Sequence, residues 1–231
     1  MVSSLVDVTA NSQPKFTRTP LSSLALGHFM SKQEDLIGTT VQFLLCSLCA
    51  VVIGLYALGP LNHAVMFSWH PILMTTAWIG VALTSVAVKR RGGRTNTLIH
   101  AYSMLAVTLL TLGGYYAIHT HKNNIGKPHL QTYHSWTGIT VIAGVAIGAV
   151  GSMSALHPDF GALRAHKDVR LAHKLFFRGI TLLAFVTILS GWYKLTKELL
   201  STVLLAVLEA GIAMMLLRPT APAPPKANTA V

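Results

Sequence analysis

Six apolar stretches, near 37–58, 67–88, 96–118, 132–155, 169–193 and 199–217, take up most of this chain. Each is close to the roughly 20 residues that a helix needs to cross a bilayer. Inside lipid the backbone must satisfy its own polar groups, which leaves only helices and closed barrels. No period-two alternation of barrel strands runs through these stretches. The expectation is an all-α membrane protein with six transmembrane helices. Composition agrees: 52% of the 231 residues are hydrophobic and 11% charged, whereas a soluble domain carries about 25% charged residues.

The spans divide the chain into a polar cytoplasmic leader over 1–36, a six-helix domain over 37–218 and a Pro-rich tail over 219–231. The leader lacks the short apolar core of a cleaved signal peptide. Loops are short except for 119–131 and 156–168. The net charge of +11 does not mark a nucleic-acid partner, because the basic residues fall between apolar runs rather than in one compact basic domain. Lys15, Arg18, Lys32, Lys89, Arg90, Arg91, Arg94, Arg164, Lys167, Arg170, Lys174, Arg218 and Lys226 lie on one side. Only Lys122, Lys127, Lys194 and Lys197 lie on the other. The excess predicts cytoplasmic termini. Cys46 and Cys49 share a helix face in the first span and are expected to be small packing residues.

Four histidines, His70, His100, His134 and His173, sit near the starts of four successive apolar helices. An imidazole in a membrane is costly without a partner, and such residues ordinarily mark function. A single one is commonly just an interfacial residue; four in matching positions are not explained that way. Helices two and four run in the same direction, so His70 and His134 share a depth near the non-cytoplasmic face. Helices three and five run the other way and put His100 with His173 near the cytoplasmic face. Neutral imidazole is an axial ligand for haem iron. The pattern therefore predicts two bis-histidine b-type haems, one above the other, held by a four-helix bundle of helices two to five. Gly113, Gly114, Gly138, Gly144, Gly148 and Gly151 supply close helix approach or room for a ring. His28, His63, His157 and His166 are expected at the surface or interface. Arg178 and Glu209 fall inside spans and are expected to pair with each other, or Arg178 with a haem propionate.

Several stretches carry a family resemblance: Phe67-Ser-Trp-His-Pro-Ile-Leu-Met74, Leu98-Ile-His-Ala101, Tyr133-His-Ser-Trp-Thr-Gly138 and Leu171-Ala-His-Lys174. The loop His121-Lys-Asn-Asn-Ile-Gly-Lys-Pro-His129 adds to them. Together and in this order they resemble the cytochrome b561 family of transmembrane ascorbate-dependent reductases, over roughly 40–215. The loop is similar to that of the short "domain-containing" subgroup. The resemblance implies electron transfer from cytoplasmic ascorbate to monodehydroascorbate or a ferric chelate on the far side, two b haems and a homodimer, in an endomembrane. On the ascorbate side the anion-binding candidates are Arg90, Arg91, Arg94, Arg164 and Arg170, with Arg94 and Arg170 nearest the histidines in sequence. On the acceptor side they are Lys122, Lys127 and His129, beside His119 and His121. The alternative from another class is a His-rich divalent-metal transporter. It would favour intramembrane carboxylates beside the histidines, where only Glu209 is available.

Overall fold

The computed structural model describes residues 66–217, apart from the side chains of 215–217, together with Ile37, Thr40, Val41, Leu44, Leu48 and Val52, each of them helical. The leader, the tail and most of the expected first span lie outside the described residues.

All regular structure among the described residues is helical. Helix α1 runs Met66–Arg90, α2 Arg94–Asn124, α3 Tyr133–Leu156 and α4 Lys167–Thr196. These four are long and apolar enough to cross a membrane. Helix α5, Leu199–Leu217, is apolar and shorter, with 19 residues.

Local chemistry sets the ends. Pro71 lies inside α1, in its second turn, where it lacks the N–H that would bond the carbonyl four residues back. Further along, Thr76–Ala82 winds as a π-helix, which sets Trp78 into the bundle centre at 2% exposure. Thr132 caps α3: its hydroxyl accepts from the Ser135 amide, and the Ser135 hydroxyl accepts from the Thr132 amide at 3.0 Å. This reciprocal box satisfies two amides that the first turn leaves free. Asp168 stands in the first turn of α4, where the helix dipole favours a negative charge.

One boundary departs from expectation. Helix α2 runs past 118 to Asn124, so His119, His121 and Lys122 are helical rather than part of a loop. Polar residues do not end a helix. This one ends only before Gly126, whose φ is 64°, and His121 and Lys122 occupy its last turn, where positive charge meets the negative end of the dipole.

Successive helices pack side by side, α1 on α2, α2 on α3, α3 on α4 and α4 on α5, and the end of α1 also meets α5. One core cluster gathers Trp78, Val107, Val141, Val145, Ile180 and Ala184 from α1 to α4. A second joins Ile79, Leu83, Phe185, Trp192, Leu205 and Ile212 across α1, α4 and α5. Gly144 and Gly148 bring α3 close to Ile180, Phe176 and Phe177 of α4. The outer face carries exposed Leu109, Ile147, Val150, Val186, Leu204 and Val207, the surface a bilayer requires and water does not favour.

Candidate functional site

The capping box fixes where α3 begins and thereby places His134 in its first turn. His70, in the first turns of α1, meets it across the bundle. Their ring centres are 6.2 Å apart and the planes stand at 86°. At the other end, the second turns of α2 and α4 bring His100 and His173 to 6.5 Å, at 88°.

Each ring is oriented by a neighbour. His70 Nδ1 donates to the Gly114 carbonyl at 2.9 Å, and His134 Nδ1 to the Thr187 carbonyl at 3.0 Å. A carbonyl only accepts, so Nδ1 carries the proton in both rings. His100 Nδ1 meets Ser85 Oγ at 2.9 Å, and His173 Nδ1 meets Ser152 Oγ at 2.9 Å. Each serine hydroxyl gives its own proton to a backbone carbonyl, Ser85 to His100 and Ser152 to Gly148, so each accepts from the imidazole. All four neutral rings are therefore Nδ1–H tautomers. Their Nε2 lone pairs have no hydrogen-bond partner among the described residues.

This arrangement fits a pair of imidazoles that would hold one metal group. Metal-bound histidines ordinarily donate through the other ring nitrogen, which fixes tautomer and orientation. Ring centres 6.2 and 6.5 Å apart would leave room between the two imidazoles of each pair for one metal ion held by both. Backbone approach keeps the pocket open at Gly191, where an added Cβ would stand 2.7 Å from His134 Cε1.

A cavity of about 620 Å³ opens beside His100 and His173, lined also by Lys89, Arg90, Arg164 and Arg170. That volume is in the range of small-molecule sites. Lys89 donates to Thr97 at 2.7 Å and acts electrostatically on both His100 and His173. Of the five arginines singled out by sequence, Arg90, Arg164 and Arg170 line this cavity. Arg91 is exposed outside the lining. Arg94 is turned to Asp159, forming an ion pair at 2.8 Å, and proximity in sequence to His100 could not show that competition. Arg178 lines the cavity. Its expected partner Glu209 lies in the α4–α5 seam among Leu182, Phe185, Ala206 and Ala213, with neither carboxyl oxygen hydrogen-bonded. That pairing is not formed, because the two side chains are placed in different recesses.

At the His70/His134 end, Lys122 acts electrostatically on both rings and donates to the Pro128 carbonyl at 3.2 Å. His129 stacks on His119 at 4.4 Å and meets Asn123 Oδ1 at 2.8 Å. Desolvation, the His119 ring and the Lys122 charge hold the His129 imidazole below the ordinary histidine range. Lys127 is exposed in the turn after α2. No three His, Cys, Asp or Glu side chains among the described residues stand together as a metal-ion cluster, so the transporter reading finds no support there.

His157 is a correction. Expected at the surface, it is 3% exposed and belongs to the cavity wall. The sequence signal for it was the His-Pro-Asp-Phe-Gly run directly after the apolar stretch of α3, which ties the histidine into a tight turn.

Membrane-length helices with paired, oriented imidazoles in their interior define a helical membrane protein whose histidine pairs could hold a metal group. Residues 69–198 match the family described as eukaryotic cytochrome b561, and the chain belongs to that family. Membership implies b-type haem. Among its relatives, the lysosomal membrane ascorbate-dependent ferrireductase CYB561A3 of Bos taurus is 30% identical over 132 residues, 54% of this chain and 50% of that protein. The ascorbate-specific transmembrane electron transporter 2 of Zea mays is 31% identical over 137 residues, 57% of each. The transmembrane reductase CYB561D2 of Mus musculus is 28% identical over 101 residues, 40% of this chain and 46% of that protein. The chain thus spans about half the length of the curated relatives it matches. With these relatives and its apolar helices, it is an integral membrane protein.

Proposed function

We propose that the protein is a transmembrane reductase that takes single electrons from cytoplasmic ascorbate and delivers them to monodehydroascorbate or ferric iron on the opposite face. In this reading two b-type haems are held by His70 with His134 and by His100 with His173. The supporting observation is the geometry of the two pairs: centre separations of 6.2 and 6.5 Å, with every Nδ1 already committed. Bound there, haem would supply reversible one-electron carriers at two depths.

The chain's own residues do the rest. Gly114, Ser85, Thr187 and Ser152 hold the imidazoles in one tautomer, leaving the Nε2 lone pair for the iron. Arg90, Arg164, Arg170 and Lys89 concentrate positive charge at one cavity, which draws an ascorbate anion toward His100 and His173. Lys122 and His129, with Lys127 in the adjoining turn, give the opposite end a smaller positive surface for an anionic acceptor. The family match and the activities for which the relatives are named support the same assignment.

An absorption spectrum of the purified protein with and without ascorbate tests it. Two b-type components reduced by ascorbate are expected, with His70→Ala and His100→Ala removing different ones. A colourless protein overturns the reading, as does a spectrum that neither substitution changes.

A further inference from the structure

Among the described residues, Arg178 is the cavity cation set farthest along α4. Lys89 and Arg90 close the end of α1, and Arg164 stands in the turn before α4. Arg170 and Lys174 flank His173 within one turn. All of these line the cavity beside His100 and His173. Arg178 lines it too, five residues beyond His173. On an α-helix that is about 7.5 Å farther into the apolar part of the span.

The outer cations are engaged. Lys89 donates to Thr97 at 2.7 Å, Arg164 to the Asp159 carbonyl at 2.7 Å and Arg170 to the Ala165 carbonyl at 3.4 Å. Arg178 has no hydrogen-bond or ion-pair partner among the described residues. It is half-buried and on the wall, so part of its surface belongs to the cavity. Beyond it on α4 the wall is made by Thr181, Leu182 and Phe185, and the Thr181 hydroxyl is spent on the Phe177 carbonyl at 2.7 Å. Glu209 lies in the other recess. An arginine keeps its charge in a protein. Left without a counter-charge inside a membrane, it is costly and ordinarily functional.

We infer that Arg178 tunes this site: its fixed positive charge raises the midpoint potential of a haem held between His100 and His173. The inference rests on the proposed reading that haem is bound there. One electron from ascorbate takes ferric iron to ferrous and adds one negative charge, while the arginine gains and loses nothing. A positive charge nearby therefore favours the reduced form, the more so where water is scarce. Cations at the mouth face water and are screened by salt; Arg178 lies within the span and is screened less.

Redox titration of the full-length protein, followed at both spectral components, tests this. Arg178→Gln and Arg178→Met are expected to lower the potential of the component lost in His100→Ala by about 59 mV or more, a tenfold change in a one-electron equilibrium. The component lost in His70→Ala, at the far pair, shifts less. Arg178→Lys keeps the charge and stays near the wild-type potential. Where the neutral variants fail to fold, Arg178→Lys carries the test, because its charge is titrated off as pH rises. Its potential then falls where that of the wild type holds, and a pH profile identical to the wild type overturns the inference. Unchanged potentials in folded, haem-loaded Arg178→Gln also overturn it. So does an equal shift in Arg178→Lys at neutral pH, which would make shape rather than charge the cause. Weaker ascorbate affinity by calorimetric titration with both potentials in place overturns it as well, assigning the charge to substrate binding. Each of these results leaves the reductase reading intact, which fails separately if the parent protein lacks haem.

Discussion

The direction of one proton separates the histidines. In the four paired rings it sits on Nδ1 and is spent on a helix neighbour, leaving Nε2 as a lone pair. In His157 the Asp159 amide donates to Nδ1, which reverses this and leaves Nε2 as a donor. Identical side chains thus carry the proton on different nitrogens, according to which one the neighbouring backbone or hydroxyl engages. The pairing of His70 with His134 and of His100 with His173 was legible in the sequence, since span direction alone sets depth. The partners were not, because Gly114 lies 44 residues from His70 and Thr187 lies 53 from His134. Gly191 is equally silent until the ring of His134 is seen against it. Gly191→Ala places a methyl where Cε1 stands at 2.7 Å, so the ring or the helix must move, at about 1–3 kcal/mol. The expected outcome is loss of the same spectral component that His134→Ala removes, with a lower melting temperature. Wild-type spectra and stability in this variant would show that α4 yields easily there.

Helix ends act as rulers for the site. The Thr132–Ser135 box begins α3 one residue before Tyr133 and so fixes His134 against α1. Its signature, Thr-Tyr-His-Ser, was in the sequence, although the boundary drawn from hydropathy fell at 132. Thr132→Ala removes a cap that typically contributes about 1 kcal/mol. Fraying of the first turn then loosens the His70/His134 end first. Thermal release of haem followed by absorbance is expected to begin at a lower temperature for that component, with the other unchanged. The far end of α2 was read too short because hydropathy falls at His119 while helix propensity does not. That difference puts Lys122 in the last turn of a helix, from where its charge acts on both imidazoles, rather than on a loop.

At the scale of the whole molecule the cavity draws its walls from α1, α2, α3, α4, α5 and the turn after α3. No single stretch of sequence contains it. Arg94 and Arg170 were the two candidates nearest a histidine along the chain. In the fold, Asp159 takes Arg94 and leaves Arg170 on the wall. Arg170→Ala is expected to raise the apparent KM for ascorbate severalfold, the cost of one charge in a multi-cation site, and more so at low salt. Arg94→Ala frees Asp159 and acts mainly through the His157 turn. Exposed ion pairs contribute about 0–1 kcal/mol, so its effect on KM should be the smaller of the two. Michaelis curves at two ionic strengths check the order, and equal effects would remove the distinction.

The sequence by itself determined that the chain is helical in a membrane and which histidines come together at each end of the helices. Those properties follow from hydropathy, span length and charge, which are local sums along the chain. Tertiary structure alone decided the proton on each imidazole, the burial of His157, the separation of Arg178 from Glu209 and the choice of arginines on the cavity wall. Each of these depends on a partner brought close by packing of different helices and turns, and hydrogen bonds and ion pairs act only over the few ångströms that packing sets.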